Sequence, residues 1–163
     1  MVLIREASKS DLNEILVIYN EAVDLTVATF DTEHRTFVQQ EKWLENHGAT
    51  HPVIVAVDNG IIVGWASLSK WSDRAAYDGT VELSFYVLEK EQGKGIGKKL
   101  IHAIIEKAIN LKYHTIISRI TQGNEASIHL HKITGFEYIG AMKQVGRKFG
   151  RLLDVHLYQK LLK

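Results

Sequence analysis

The stretch that most restricts the fold is Gln92-Gly93-Lys94-Gly95-Ile96-Gly97-Lys98-Lys99, set between an apolar strand (Val81 to Leu88) and a helix opening near Ile96. Glycines at alternate positions let the backbone turn sharply with its N–H groups inward and no Cβ in the way. The following helix adds its unpaired first-turn N–H groups and the positive end of its dipole. Together these predict a pyrophosphate cradle at a strand-to-helix junction. The spacing excludes two other phosphate loops. Counting from Gly93, a P-loop or a dinucleotide fingerprint needs a small residue at position 98, where Lys98 stands.

The flanking pattern fits one α/β domain over residues 1–163, long enough to bury roughly two-thirds of its unfolded surface. Val2 to Arg5 reads as a strand. Ser8 or Ser10 caps a helix carrying Leu12, Ile15, Leu16 and Tyr19 at helical spacing. A second helix covers about Phe37 to Asn46 and stops near Gly48. Asp58-Asn59-Gly60 joins strands Pro52 to Val57 and Ile61 to Leu68 as a hairpin. Thr80 to Leu88 alternates, with Val81, Leu83, Phe85 and Val87 on one face and Glu82, Ser84 and Tyr86 on the other. The helix to about Asn110 carries Leu100, Ile104, Ala108 and Leu111 as its apolar stripe. Thr115 to Ile120 is strand-like, and Asn124 caps a short helix that Gly135 stops. Phe136 to Met142 and Leu153 to Tyr158 are the last strands. This order predicts a mixed, twisted sheet with helices on both faces.

A formal net charge of +1 leaves no global field for nucleic acid, and no apolar run approaches the ~20 residues of a membrane span. With no cysteine there is no disulfide, thiolate metal site or Cys nucleophile. His129 and His131 diverge by about 200° on a helix and cannot share one ion, so no metal is expected. The N-terminal residues are too polar for a signal peptide, which implies a cytoplasmic protein.

Gln-x-x-Gly-x-Gly at this junction resembles the acyl-CoA pyrophosphate loop of the GNAT acetyltransferase superfamily, and the element order is similar to that fold. Asn124 to Phe136 is similar to the superfamily's Asn-…-Ala-…-Tyr-x-x-x-Gly-Phe signature, with His131 in the tyrosine's place. Trp71 to Glu82, containing Arg74-Ala75-Ala76-Tyr77 and Thr80-Val81-Glu82, resembles a block of phosphinothricin and methionine sulfoximine N-acetyltransferases. Thr29-Phe30-Asp31-Thr32-Glu33, Leu130-His131 with Gly135-Phe136, and Lys148-Phe149-Gly150 with Asp154-Val155 and Gln159 extend the likeness over nearly the whole chain. Two departures fall in regions expected to shape the acceptor pocket. His34 stands where that family usually has Pro, and Leu152 where it often has Trp.

The resemblance implies a mostly antiparallel sheet of about seven strands, acetyl-CoA as co-substrate, and a homodimer. It implies that Gln92, Gly93, Lys94, Gly95, Ile96, Gly97 and Lys98 hold the pyrophosphate. The backbone of Phe85, Tyr86 and Val87 would pair with the pantetheine arm, and Asn124 would hydrogen-bond the cofactor. Glu82 would accept the amine's proton, directly or through water, and His131 would act as acid, base or positioning group. The acceptors of that family are glutamate-like amino acids, which call for a carboxylate receptor. Arg74 is the first candidate and Lys148 with Arg147 the second; Phe30, Ala75, Ala76 and Tyr77 would wall the pocket. The expected function is N-acetylation of a small amino acid or analogue by direct transfer in a ternary complex. The alternatives are another amine, such as a peptide N-terminus or a polyamine, or a non-catalytic acyl-CoA-binding domain.

Overall fold

In the computed structural model, which describes residues 1–163, the alternating segment becomes the middle strand of a seven-stranded sheet. The strands are β1 (Val2–Glu6), β2 (Val53–Asp58), β3 (Ile61–Lys70), β4 (Thr80–Val87), β5 (Thr115–Thr121), β6 (Glu137–Lys148) and β7 (Arg151–Leu161), in the order β1-β2-β3-β4-β5-β7-β6. All neighbours are antiparallel except β4 and β5. The helices are α1 (Leu12–Leu25), α2 (Phe37–His47), α3 (Ile96–Asn110) and α4 (Glu125–Ile133). No helix is long and apolar enough to cross a membrane.

The two faces of β4 feed two cores. Val81 and Leu83, with Phe85 and Val87 against them, pack on Leu100, Ile101, Ile104, Ile105 and Ala108 of α3, and Ile128 and Leu130 of α4 join this side. Leu111 does not. It lies past the end of α3 and is exposed, and Ile101 and Ile105 widen the buried stripe instead. On the opposite face, Ile15, Ile18, Tyr19 and Val23 of α1 pack on Val55, Ile62 and Trp65, with Trp43 of α2 and Tyr86 of β4 alongside. Helices therefore cover both faces, as the pattern predicts.

Local signals account for most boundaries. Ser8 caps a short 3-10 turn (Lys9–Asp11) that leads into α1, and Ser10 only bonds to the Ser8 hydroxyl. Thr36 and Gln39 form a reciprocal capping box at the start of α2. Asn59 and Gly60 both take positive φ (50° and 79°), the geometry an Asn-Gly hairpin favours.

The last hairpin differs from expectation. β6 continues to Lys148 and β7 begins at Arg151, joined by Phe149 and Gly150 at φ 51° and 72°. A phenylalanine in the left-handed region carries no turn signal, and two register shifts interrupt the alternation of β6.

Candidate active site

β4 and β5 pair only from Thr80↔Thr115 to Glu82↔Ile117, and then part, β5 continuing along β7. The second half of β4 thus keeps β3 on one side and an open edge on the other. The Leu88 N–H bonds to the Val63 carbonyl on the β3 side. Alternation then turns the peptide groups of Phe85 and Val87 to the open edge, where Gln92 Nε2 donates to the Val87 carbonyl at 3.2 Å. An extended amide-bearing chain laid in the gap would find backbone partners as an added strand does.

The cradle lies at the end of this gap. Gly93 and Gly95 have φ of 77° and 83°, and Gly95 is the left-handed N-cap of α3. No side chain caps α3, so its first-turn N–H groups stay available to an anion. Gly97 serves differently. It is already helical, and a Cβ there would meet Leu130 Cδ1 at 2.9 Å, so it sets the approach of α4 to α3. Phe85, Tyr86, Val87, Gln92, Gly93, Ile96, Gly97 and Asn124 line one cavity, with Glu21, Thr26, Ala28 and Ser127 adding unforeseen wall. Gly95, the N-cap of α3, and Lys98, in its first turn, lie outside that wall, and Lys94 is paired with Glu91 at 2.8 Å. Asn124 caps α4, accepting from the Ser127 N–H. These features fit a pyrophosphate with a pantetheine arm.

A second cavity of about 520 Å³ opens on the α1–α2 face, within the range of small-molecule sites. Its floor is the polar face of β4 (Glu82, Ser84 and Tyr86) with Trp65, Ser67 and Ser69 of β3, while Arg119 and Thr121 project from β5. Tyr86 and Ala28 line both cavities. Burial raises the Tyr86 phenol well above its ordinary value, so it stays a hydrogen-bond donor. Behind the floor, Ser69 Oγ lies 3.1 Å from His47 Nε2.

Glu82 lines this second cavity, bound on both oxygens by Arg119 (Nε–Oε2 2.6 Å, Nη2–Oε1 2.7 Å). This pairing keeps Arg119 more firmly protonated than an ordinary guanidinium. A second pair of charges borders the same cavity. Arg35 lies 3.9 Å over the Tyr19 ring and 3.6 Å from Asp31, whose carboxylate accepts from the Tyr19 hydroxyl. Phe30 also lines this cavity, pressed against Gly146, where any Cβ would overlap its ring.

Other expected residues lie elsewhere. Arg74 to Tyr77 form an exposed turn beyond the end of β3, outside both cavities. Lys148 is 3% exposed and donates to the Thr29 carbonyl at 2.8 Å, tying the α1–α2 loop to the last hairpin. Burial lowers its pKa, and its ammonium is committed to that backbone carbonyl. His131 is on the α3–α4 side of the sheet, across from Glu82, and 2% exposed. Its Nδ1 lies 2.7 Å from the Ser127 carbonyl and must be the protonated nitrogen. Nε2 then accepts from the Ser118 hydroxyl at 2.8 Å, with the Phe136 ring packed edge-on.

Desolvation holds the His131 imidazole below its ordinary value, and His47 likewise. Folded protein therefore keeps both neutral where the unfolded chain begins to protonate, so stability is lost as pH falls below about 6.5. Urea midpoints should drop between pH 7.5 and 5.5, and His131→Asn, though less stable, should show a shallower slope. Each such histidine adds up to about 1.4 kcal/mol per pH unit. An unchanged slope in the variant would mean His131 charges freely in the fold.

Comparison with known proteins identifies the family and the fold. Residues 4–157 match the family model described as the acetyltransferase (GNAT) domain. The chain is 40% identical over 158 residues to an L-methionine sulfoximine/L-methionine sulfone acetyltransferase of Pseudomonas aeruginosa, covering 96% of this chain and 92% of that one. It superimposes on a phosphinothricin acetyltransferase of Sinorhizobium meliloti, crystallised with acetyl-CoA, with a TM-score of 0.96 and 34% identity over 99% of this chain and 88% of that one. It also resembles a ribosomal-protein-alanine N-acetyltransferase of Brucella melitensis (TM-score 0.95, 42% identity, 98% and 99% covered).

Proposed function

As the chain belongs to the GNAT acetyltransferase family, we propose that it acetylates the α-amine of a small amino acid or analogue of the methionine sulfoximine or phosphinothricin kind, with residues 1–163 acting as one domain. Its acetyl donor is acetyl-CoA, which supplies an activated thioester. The observation that carries the acceptor reading is the charge arrangement of the second cavity. Glu82 with Arg119, and Asp31 with Arg35, set both signs side by side in a cavity also lined by Tyr19, Trp65 and Tyr86, as a zwitterion requires. The relatives named for amino-acid analogues support the same reading.

In this mechanism the amine attacks directly within a ternary complex, with no acyl-enzyme. Glu82 receives the amine's proton, directly or through one water, and the peptide N–H groups of the open β4 edge polarise the reacting carbonyl. His131, enclosed behind Phe85 (ring centroids 5.9 Å), positions that part of the wall. Exposed Val145, Phe149 and Leu152 on the last hairpin support a homodimer, to be checked by solution mass. A cytoplasmic place and a detoxifying role complete the proposal.

Thiol release from acetyl-CoA tests the reading. Methionine sulfoximine, methionine sulfone and phosphinothricin should be turned over in preference to polyamines and to an alanine-initiated peptide. The last acceptor stands for a second reading, favoured by the name of the Brucella relative. Turnover of the peptide alone would select that reading, and no turnover with any amine would leave an acyl-CoA-binding domain.

A further inference from the structure

Arg119 is the cation whose donors remain free in the acceptor cavity. It follows from the strand geometry. Glu82 pairs with Ile117 on the last rung between β4 and β5, so the period-2 alternation brings Arg119 to the same face just where the strands part. Its guanidinium reaches back across the gap and holds Glu82 with the Nε–Nη2 side. A guanidinium carries five N–H donors, and this arrangement uses two. Both hydrogens of Nη1 and one of Nη2 are left, forming the end-on edge that matches a second carboxylate. The Arg119 side chain is 52% exposed and Glu82 17%, so the carboxylate lies behind and the cation is presented outward. The Trp71 ring supports it at 5.4 Å.

The other cations are committed or distant. Arg35 serves Asp31, Gln40 and the Tyr19 face, Lys148 is enclosed against Thr29, and Arg74 stands on the exposed turn.

Resting on the amino-acid reading above, we propose that Arg119 is the receptor for the acceptor's α-carboxylate and also the clamp that aims Glu82. A carboxylate on the free edge of Arg119 places the neighbouring α-amine beside Glu82, so one guanidinium aligns the acceptor with its base. The acceptor class is then amines bearing a carboxylate on the same carbon, and amides or decarboxylated analogues are discriminated against at this residue.

The test compares methionine sulfone with its carboxamide, in wild-type enzyme and in Arg119→Gln and Arg119→Lys, with melting temperature and acetyl-CoA affinity checked for each. Loss of the clamp should slow both acceptors, whereas loss of the receptor should affect the acid alone. The ratio of kcat/KM for acid over amide should fall by about 30-fold or more in Arg119→Gln, mainly through KM of the acid. Arg119→Lys, which keeps the charge without the fork, should lie between. The amide's more acidic ammonium is common to all three enzymes and cancels from this comparison. Wild-type discrimination that survives in Arg119→Gln overturns the proposal while leaving the amino-acid reading intact. A wild-type enzyme equally active on acid and amide likewise overturns the proposal alone, and one inert to the acid overturns both.

Discussion

Glu82→Gln is expected to lower kcat by roughly 10²- to 10⁴-fold with little change in acetyl-CoA affinity, the loss typical of removing a positioned general base. The glutamine keeps the side chain's shape and can still accept from Arg119, but it cannot receive a proton. Arg119 is half exposed, so losing the opposite charge leaves it solvated and the fold intact. The deficit should shrink as pH rises, because an amine already neutral in solution needs no base. His131→Asn should cost less. Its imidazole already donates to Ser127 and accepts from Ser118 on the far face of the sheet, with neither nitrogen open to a cavity. The departing thiol, with a pKa near ~8.5, can also leave as thiolate without an acid. Kinetics of both variants from pH 6 to 10 separate the roles. Near-normal kcat in Glu82→Gln across that range, with activity abolished in His131→Asn, would make His131 the base.

How much of this was legible depended on whether the signal was local. The strict alternation of Thr80–Val87 placed Glu82, Ser84 and Tyr86 on one face, and that face is the floor of the second cavity. Paired left-handed residues at Asn59-Gly60 were readable because both residue types favour that conformation. Phe149-Gly150 reaches nearly the same geometry with a residue that does not, so the last hairpin was longer than its sequence pattern. Arg119 was missed for another reason. It is one cation in a β-branched strand, and its partner is 37 residues earlier, joined only by the parallel rung at Glu82↔Ile117. Lys148 misled in the reverse sense. A lysine next to Arg147 reads as a cation free to receive a carboxylate, and only the packing of the α1–α2 loop shows it enclosed against Thr29. Charge type was visible in the sequence, but the direction each charge faces was set by long-range pairing.

The glycine loop allows the cofactor site to be tested apart from the chemistry. Gly95→Val should raise the KM for acetyl-CoA by roughly 30- to 100-fold, a loss of about 2–3 kcal/mol in binding. A β-branched residue at φ 83° is strained, and the left-handed conformation alone costs roughly 1–2 kcal/mol. Within the protein an added Cβ at Gly95 meets nothing within 4 Å, so the valine has room. That room lies beside the uncapped start of α3, where the phosphates would approach the backbone. Strain and obstruction can be told apart with Gly60→Val. Gly60 has φ of 79° and equally open surroundings, but it belongs to the β2–β3 turn. Both variants should melt earlier by similar amounts, whereas only Gly95→Val should weaken acetyl-CoA. Equal cofactor affinity in the two folded variants would remove the loop from the site and leave the open edge of β4 to hold the cofactor without a phosphate cradle.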